Sequence, residues 1–225
     1  MDNFRDLLIV LLMLINLMLL ASSRIRYCIK IVAFQGLIVG LVPIFAAENG
    51  IGIGIILTAL CVIAVKCVLL PILLQRSQII ADVRREVDPF VGYTASIFIG
   101  IAALVISFWI STRLPQMEKQ VSHIAAPAAI FTVLSGLFII MSRKIALTQV
   151  LGYLVFENGI YLFGGAMLLE NGFIIELGIL LDVFVLVFVM GIAVFHISQE
   201  FNHIDTDRLS QLGDWNAELP EEIKK

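Results

Sequence analysis

The chain has 225 residues, 60% hydrophobic and only 15% charged, with a mean hydropathy of +1.01. A soluble domain of this length has too little interior to hide so much apolar surface. The formal charge of −3 argues against nucleic-acid binding and against a strongly acidic partner.

With a hydrocarbon core of about 30 Å, or roughly 20 helical residues, the apolar runs predict seven membrane spans. They cover approximately 4–21, 28–47, 51–71, 90–112, 124–141, 145–168 and 173–196. The runs lack period-2 alternation and are too long for barrel strands, so helices are expected. The first run carries Asp2, Arg5 and Asp6 in front, with Arg24, Arg26 and Lys30 behind it. A secretory signal has the opposite order, so this run reads as a retained helix. The loop 75–89 places Ile79, Ile80, Val83 and Val87 at helical spacing, suggesting an amphipathic helix on the membrane surface. Asp88-Pro89 then reads as cap and first residue of the fourth span. Pro127 lies near the start of the fifth and shortest span, and "ENG" at 48–50 and 170–172 forms two tight turns.

Basic residues set the orientation. With the N-terminus outside, Arg24, Arg26, Lys30, Arg76, Arg84, Arg85, Arg143 and Lys144 are cytoplasmic, against Arg5, Arg113 and Lys119 outside. The expected fold is an all-α membrane protein, a bundle of about seven transmembrane helices with a cytoplasmic C-terminus. Residues 1–112 form a four-helix region, 113–197 a three-helix region and 198–225 a polar cytoplasmic tail.

Within this apolar background a few polar residues stand out. Glu157, in "LGYLVFENGIYLFGG", lies near the middle of its span, where an acidic side chain costs about 3 kcal/mol to insert. A carboxyl that can be neutral or charged at small cost is what proton transfer requires. At 100° per residue, Gln149, Tyr153, Glu157, Tyr161 and Gly164 share one face, while Gly152, Gly159 and Ala166 form an opposite, small-residue face suited to close packing. Asp182 is near the centre of the last span, with His196 about 21 Å further along; the pair could mark the middle and mouth of a proton route. Lys66 lies about five residues from the end of its span. It either snorkels to the headgroups or faces the bundle and pairs with an acid there. Gln35 reads as packing glue. A faint internal echo sets Phe34-Gln35-Gly36 against Phe156-Glu157-Asn158.

Phosphate loops, dinucleotide fingerprints, nucleophile elbows and zinc motifs are missing from the sequence. Cys28, Cys61 and Cys67 form no Cys-x-x-Cys pair and read as small apolar fillers. No active site, metal or cofactor site is therefore expected on this chain.

The stretch "SRKIALTQVLGYLVFENGIYLFGGAMLL" resembles the three-helix K-type subunit of respiratory complex I and the C subunit of Mrp-type antiporters, over roughly 124–196. Over nearly the full length, with "AVKCVLLPILLQR" and "VRREVDPFVGY", the chain is similar to hydrogenase-4 component E. That family occurs in formate hydrogenlyase-type and related energy-converting hydrogenases. The resemblance implies a non-redox subunit in a prokaryotic inner membrane, beside antiporter-like subunits, with iron–sulfur and nickel–iron centres confined to partner subunits. It implies that Glu157 corresponds to the second-helix acid of a buried polar axis, with Asp182 a candidate for the third-helix acid. Redox chemistry elsewhere would then be coupled to proton or sodium movement through that axis. A purely structural scaffold, a subunit of a cation/proton antiporter and a stand-alone transporter are the alternative readings.

Overall fold

The computed structural model describes residues 2–46, 59–60, 62–80, 85–86, 89–114, 123–166 and 191. The seventh predicted span, both "ENG" turns and the polar tail lie outside these residues. Those described are all-helical: α1 (Asp2–Ala21), α2 (Ile25–Ala46), α3 (Leu70–Ile80), α4 (Tyr93–Ser111), α5 (Ala125–Ser142) and α6 (Ala146–Ala166). A π-helical turn, Ala64–Leu69, leads directly into α3. Three stretches, Phe4–Ala21, Tyr93–Ser111 and Ala125–Ser142, are long and apolar enough to cross a membrane.

The third element departs from the sequence reading. Pro71 lacks an N–H, and in a regular helix its ring collides with the carbonyl four residues earlier. The wide turn before it, in which the Leu70 N–H donates to Val65 O, relieves that collision. The helix therefore runs through Pro71 to Ile80 instead of stopping at 71. Gln75–Ile80, expected to begin a separate surface helix, is the end of this element. Lys66 consequently lies well ahead of the end of this element at Ile80. The fourth helix also begins later than Asp88-Pro89 suggests. Gly92, extended at ψ 153°, precedes Tyr93, and Ser96 Oγ donates back to Gly92 O at 3.0 Å.

The bundle is held most closely between α5 and α6. A Cβ on Gly136 would sit 2.4 Å from Phe156 N, one on Gly152 2.8 Å from Ile139 Cγ2, and one on Gly159 2.6 Å from Val133 N. Gly152 and Gly159 belong to the small-residue face legible in the sequence, and Gly136 is its partner on α5. Without these glycines the backbones could not come so near, and α6 could not hold its height against α5. Helix α6 also packs on α2, while α1 lies against α2, α4 and α5.

Replacing Gly136 with Val places methyl groups where the α6 backbone runs. The variant is expected to lose about 1–3 kcal/mol, measured as a lower denaturation midpoint in detergent. Gly92→Ala, where an added Cβ meets nothing within 4 Å, is the control and should leave the midpoint unchanged.

Candidate functional site

Glu157 is at the midpoint of the 21-residue α6, and the π-helical turn brings Lys66 to it. Lys66 Nζ donates to Glu157 Oε1 at 2.7 Å and to Asn158 Oδ1 at 3.1 Å. Its ammonium also lies 5.7 Å from the centroid of the Tyr161 ring. The two charged side chains are 5% and 1% exposed. The approach depends on Gly36 in the middle of α2, where a Cβ would fall 2.8 Å from Lys66 Cβ. Of the two placements the sequence allowed for Lys66, the structure shows the one facing the bundle.

An isolated ion at such a site costs several kcal/mol of lost hydration, repaid only by good geometry and further hydrogen bonds. Here the ammonium has a carboxylate, an amide oxygen and an aromatic face. Moving a proton from Lys66 to Glu157 along the 2.7 Å hydrogen bond would turn an ion pair into a neutral pair. Counted over the described residues, Lys66 and Glu157 sum to zero net charge in both arrangements.

A second buried polar cluster joins three helices. Gln35 Nε2 donates to Asn16 Oδ1 at 2.6 Å, Asn16 Nδ2 to Thr132 Oγ1 at 2.8 Å, and Thr132 Oγ1 to Ala128 O at 2.7 Å. Asn16, Gln35 and Thr132 are fully buried. Gln35 thus links helices through its amide, in keeping with its reading as packing glue.

A third cluster closes one end of the bundle. Glu86 Oε1 accepts from the N–H groups of Lys144 (2.5 Å) and Ile145 (3.2 Å), just ahead of α6. Arg143 Nε is 4.0 Å from Glu86 Oε2, Arg143 Nη2 donates to Leu20 O at 3.0 Å, and the guanidinium lies 4.4 Å from the Tyr93 ring centroid. Tyr93 donates its hydroxyl to Glu86 O at 2.7 Å, and the Glu86 N–H donates to Ser23 O. Glu86, through its carboxylate and its own backbone, together with Arg143 therefore ties the ends of α1, α4, α5 and α6. Arg143, counted among the solvated charges that orient the chain, is only 2% exposed.

The other expected residues separate. Tyr161 lies at the Lys66–Glu157 pair. Gln149 donates to Arg143 O at 2.9 Å, at the end of the bundle and away from Lys66. Tyr153 is half-buried between these levels, with its ring 6.3 Å from that of Phe156. Asp182 and His196 lie outside the described residues. Sequence pattern alone does not single out Asn16, Thr132 or Glu86, and Arg143 figures there only as an orienting charge. A lone amide in "LLMLINLMLL" carries the same signal as Glu157, whereas Glu86 has no local signal, sitting in a charged loop whose partners are far along the chain. Among the described residues there is no group of three or more His, Cys, Asp or Glu side chains placed to hold a metal. Cys28 and Cys67 are free thiols.

No family model matches the chain, and no solved structure matches it. It is 30% identical to the uncharacterized protein Rv0085 of Mycobacterium tuberculosis over 206 residues, covering 90% of this chain and 93% of that protein.

Lys66→Met leaves a carboxylate buried without its ion-pair partner, and a loss of about 3–5 kcal/mol is expected. Adding Glu157→Met should recover most of that loss, read by denaturation midpoints of the two single variants and the double variant. Additive losses would show that the two groups do not act as a pair.

Proposed function

We propose, for a chain that belongs to one family with the uncharacterized protein Rv0085, that it is a non-redox membrane subunit coupling redox chemistry to ion movement. The observation that carries the proposal is the Lys66–Glu157 ion pair at the midpoint of α6, both partners buried. Ionisable groups at that depth are expensive, and among membrane proteins they mark ion pathways and proton relays. The similarity to hydrogenase-4 component E and to the K-type subunit of complex I supports an energy-converting hydrogenase or a related complex as the setting.

In this reading the chain crosses a prokaryotic inner membrane about seven times, N-terminus outside and C-terminus cytoplasmic. Antiporter-like membrane subunits lie beside it, and iron–sulfur and nickel–iron centres belong to partner subunits. A charge change in a neighbouring subunit would shift the proton between Lys66 and Glu157. That shift alters the local field without exposing a net charge to the apolar interior. Asp182 would continue the axis on the seventh span, with His196 at its cytoplasmic mouth.

A structural scaffold is the second reading, and Asn158 favours it. A second hydrogen-bond acceptor on Lys66 is what a permanently charged ammonium needs.

The deciding experiment is Glu157→Gln in the complete complex, purified through a tag on this chain and reconstituted in vesicles. Coupling predicts that the complex assembles and keeps its redox turnover while ion translocation is lost. Intact assembly with unchanged translocation per turnover would leave the scaffold as the surviving reading.

A further inference from the structure

We propose that Glu86 is a proton-exchanging group at the basic end of the bundle, linked to Glu157 by water along the Gln149–Tyr153 face of α6. The inference rests on the reading of Glu157 as a proton-coupled carboxyl and adds where its proton enters or leaves.

The first observation is an excess of buried polar atoms at one corner. Glu86 and Arg143 are 3% and 2% exposed, although both lie between helices. Among the described residues, Glu86 Oε2 and Arg143 Nη1 have no hydrogen-bond partner, nor do the hydroxyls of Ser142 and Thr148 on the turns either side. Leaving such groups unpaired costs about 1–3 kcal/mol each. The 4.0 Å separation of Arg143 Nε and Glu86 Oε2 is too long for a direct hydrogen bond. The facing acceptor of Glu86 and donor of Arg143 supply polar partners that a buried water requires.

The second observation is alignment. Just ahead of α6 the Ile145 N–H donates to Glu86, and within α6 Gln149, Tyr153 and Glu157 follow at four-residue intervals, each neighbour on the next turn and rotated about 40° from the last. Each step is about 6 Å along the axis, a gap that one water bridges between polar side chains. Gln149 is a positioning residue, orienting water by its amide. The Tyr153 phenol can receive a proton and pass one on, so each transfer breaks one O–H bond and forms another.

The corner keeps its other contacts when the proton binds. Glu86 Oε1 still accepts from Lys144 and Ile145 when Oε2 carries a proton. Arg143 still donates to Leu20 O and lies over Tyr93. Among the described residues, the charged and titratable groups around Glu86 are Arg143, Tyr93 from α4 and Cys28 from α2, with Arg24 and Arg85 paired through their backbones nearby. Lys144 turns its ammonium to the Phe90 ring, 5.1 Å from its centroid.

The test uses the complete complex, purified through the full-length chain and reconstituted in vesicles with an internal pH dye. Proton translocation per redox turnover is measured for wild type, Glu86→Gln, Tyr153→Phe and Glu157→Gln. Glu86→Gln keeps an oxygen to cap α6, and Tyr153→Phe leaves the corner untouched. Translocation lowered about tenfold or more in both, with Glu157→Gln also blocked, supports the inference. Rates within about twofold of wild type for Glu86→Gln and Tyr153→Phe, with Glu157→Gln blocked, overturn the inference and leave the function standing. Normal translocation in Glu157→Gln sinks the functional reading itself. If Glu86→Gln fails to assemble, Tyr153→Phe decides alone, and a wild-type rate there overturns the inference.

Discussion

The constraint on which the arrangement turns is the cost of holding an ammonium and a carboxylate together halfway along a bundle of apolar helices. Several kcal/mol of hydration is lost for each ion, and only close, correctly aimed partners can offset it. Three departures from regular packing bring those partners into range. The π-helical turn resets the phase of the backbone ahead of Pro71 and carries Lys66. Gly36 lets α2 lie directly against that turn, and Gly136, Gly152 and Gly159 let α6 sink onto α5 so that Glu157 faces inward. Each would be a weakness in a regular bundle, since glycine and wide turns both give up helix stability. Here each shortens a distance that the ion pair needs short.

Helix α6 connects this pair to the other charged layer. Its first turn is gripped by Glu86 and Arg143, and its midpoint by Lys66. A helix fixed at two heights cannot rotate or slide without breaking buried charge contacts. The two layers are therefore joined mechanically, by a helical stretch of about 18 Å. The same geometry serves a scaffold and a coupling device, which is why the functional question falls on protonation and not on packing.

The sequence makes the helices and Glu157 legible for a simple reason: both are anomalies against a uniform apolar background. Helix boundaries follow hydropathy to within a few residues for α1, α2, α5 and α6. The third span, read as 51–71, stops short of the helix's end at Ile80, because the helix continues after the apolar run has given way to Gln75-Arg76-Ser77-Gln78. Hydropathy leaves Lys66 two placements, snorkelling or facing the bundle, and only the fold chooses between them. Glu86 and Arg143 are illegible for a different reason. Charged residues in a loop read as solvated, and nothing local announces that residues 58 positions apart share a hydrogen bond. Burial of a loop charge is a tertiary fact.

The faint internal echo acquires a physical meaning in the fold. Phe34-Gln35-Gly36 and Phe156-Glu157-Asn158 are the triplets that resemble one another, and they meet at Lys66. Gly36 backs its stem from α2, while Glu157 and Asn158 bind its ammonium from α6. Where α6 offers a carboxylate, α2 offers the neutral amide of Gln35, which turns away to Asn16 and on to Thr132. One triplet gives the lysine room and the other gives it charge. The asymmetry matters, because a second acid at Gln35 would place two carboxylates near one ammonium and leave a net buried charge. Among the described residues, a single acid with an amide opposite keeps the site neutral.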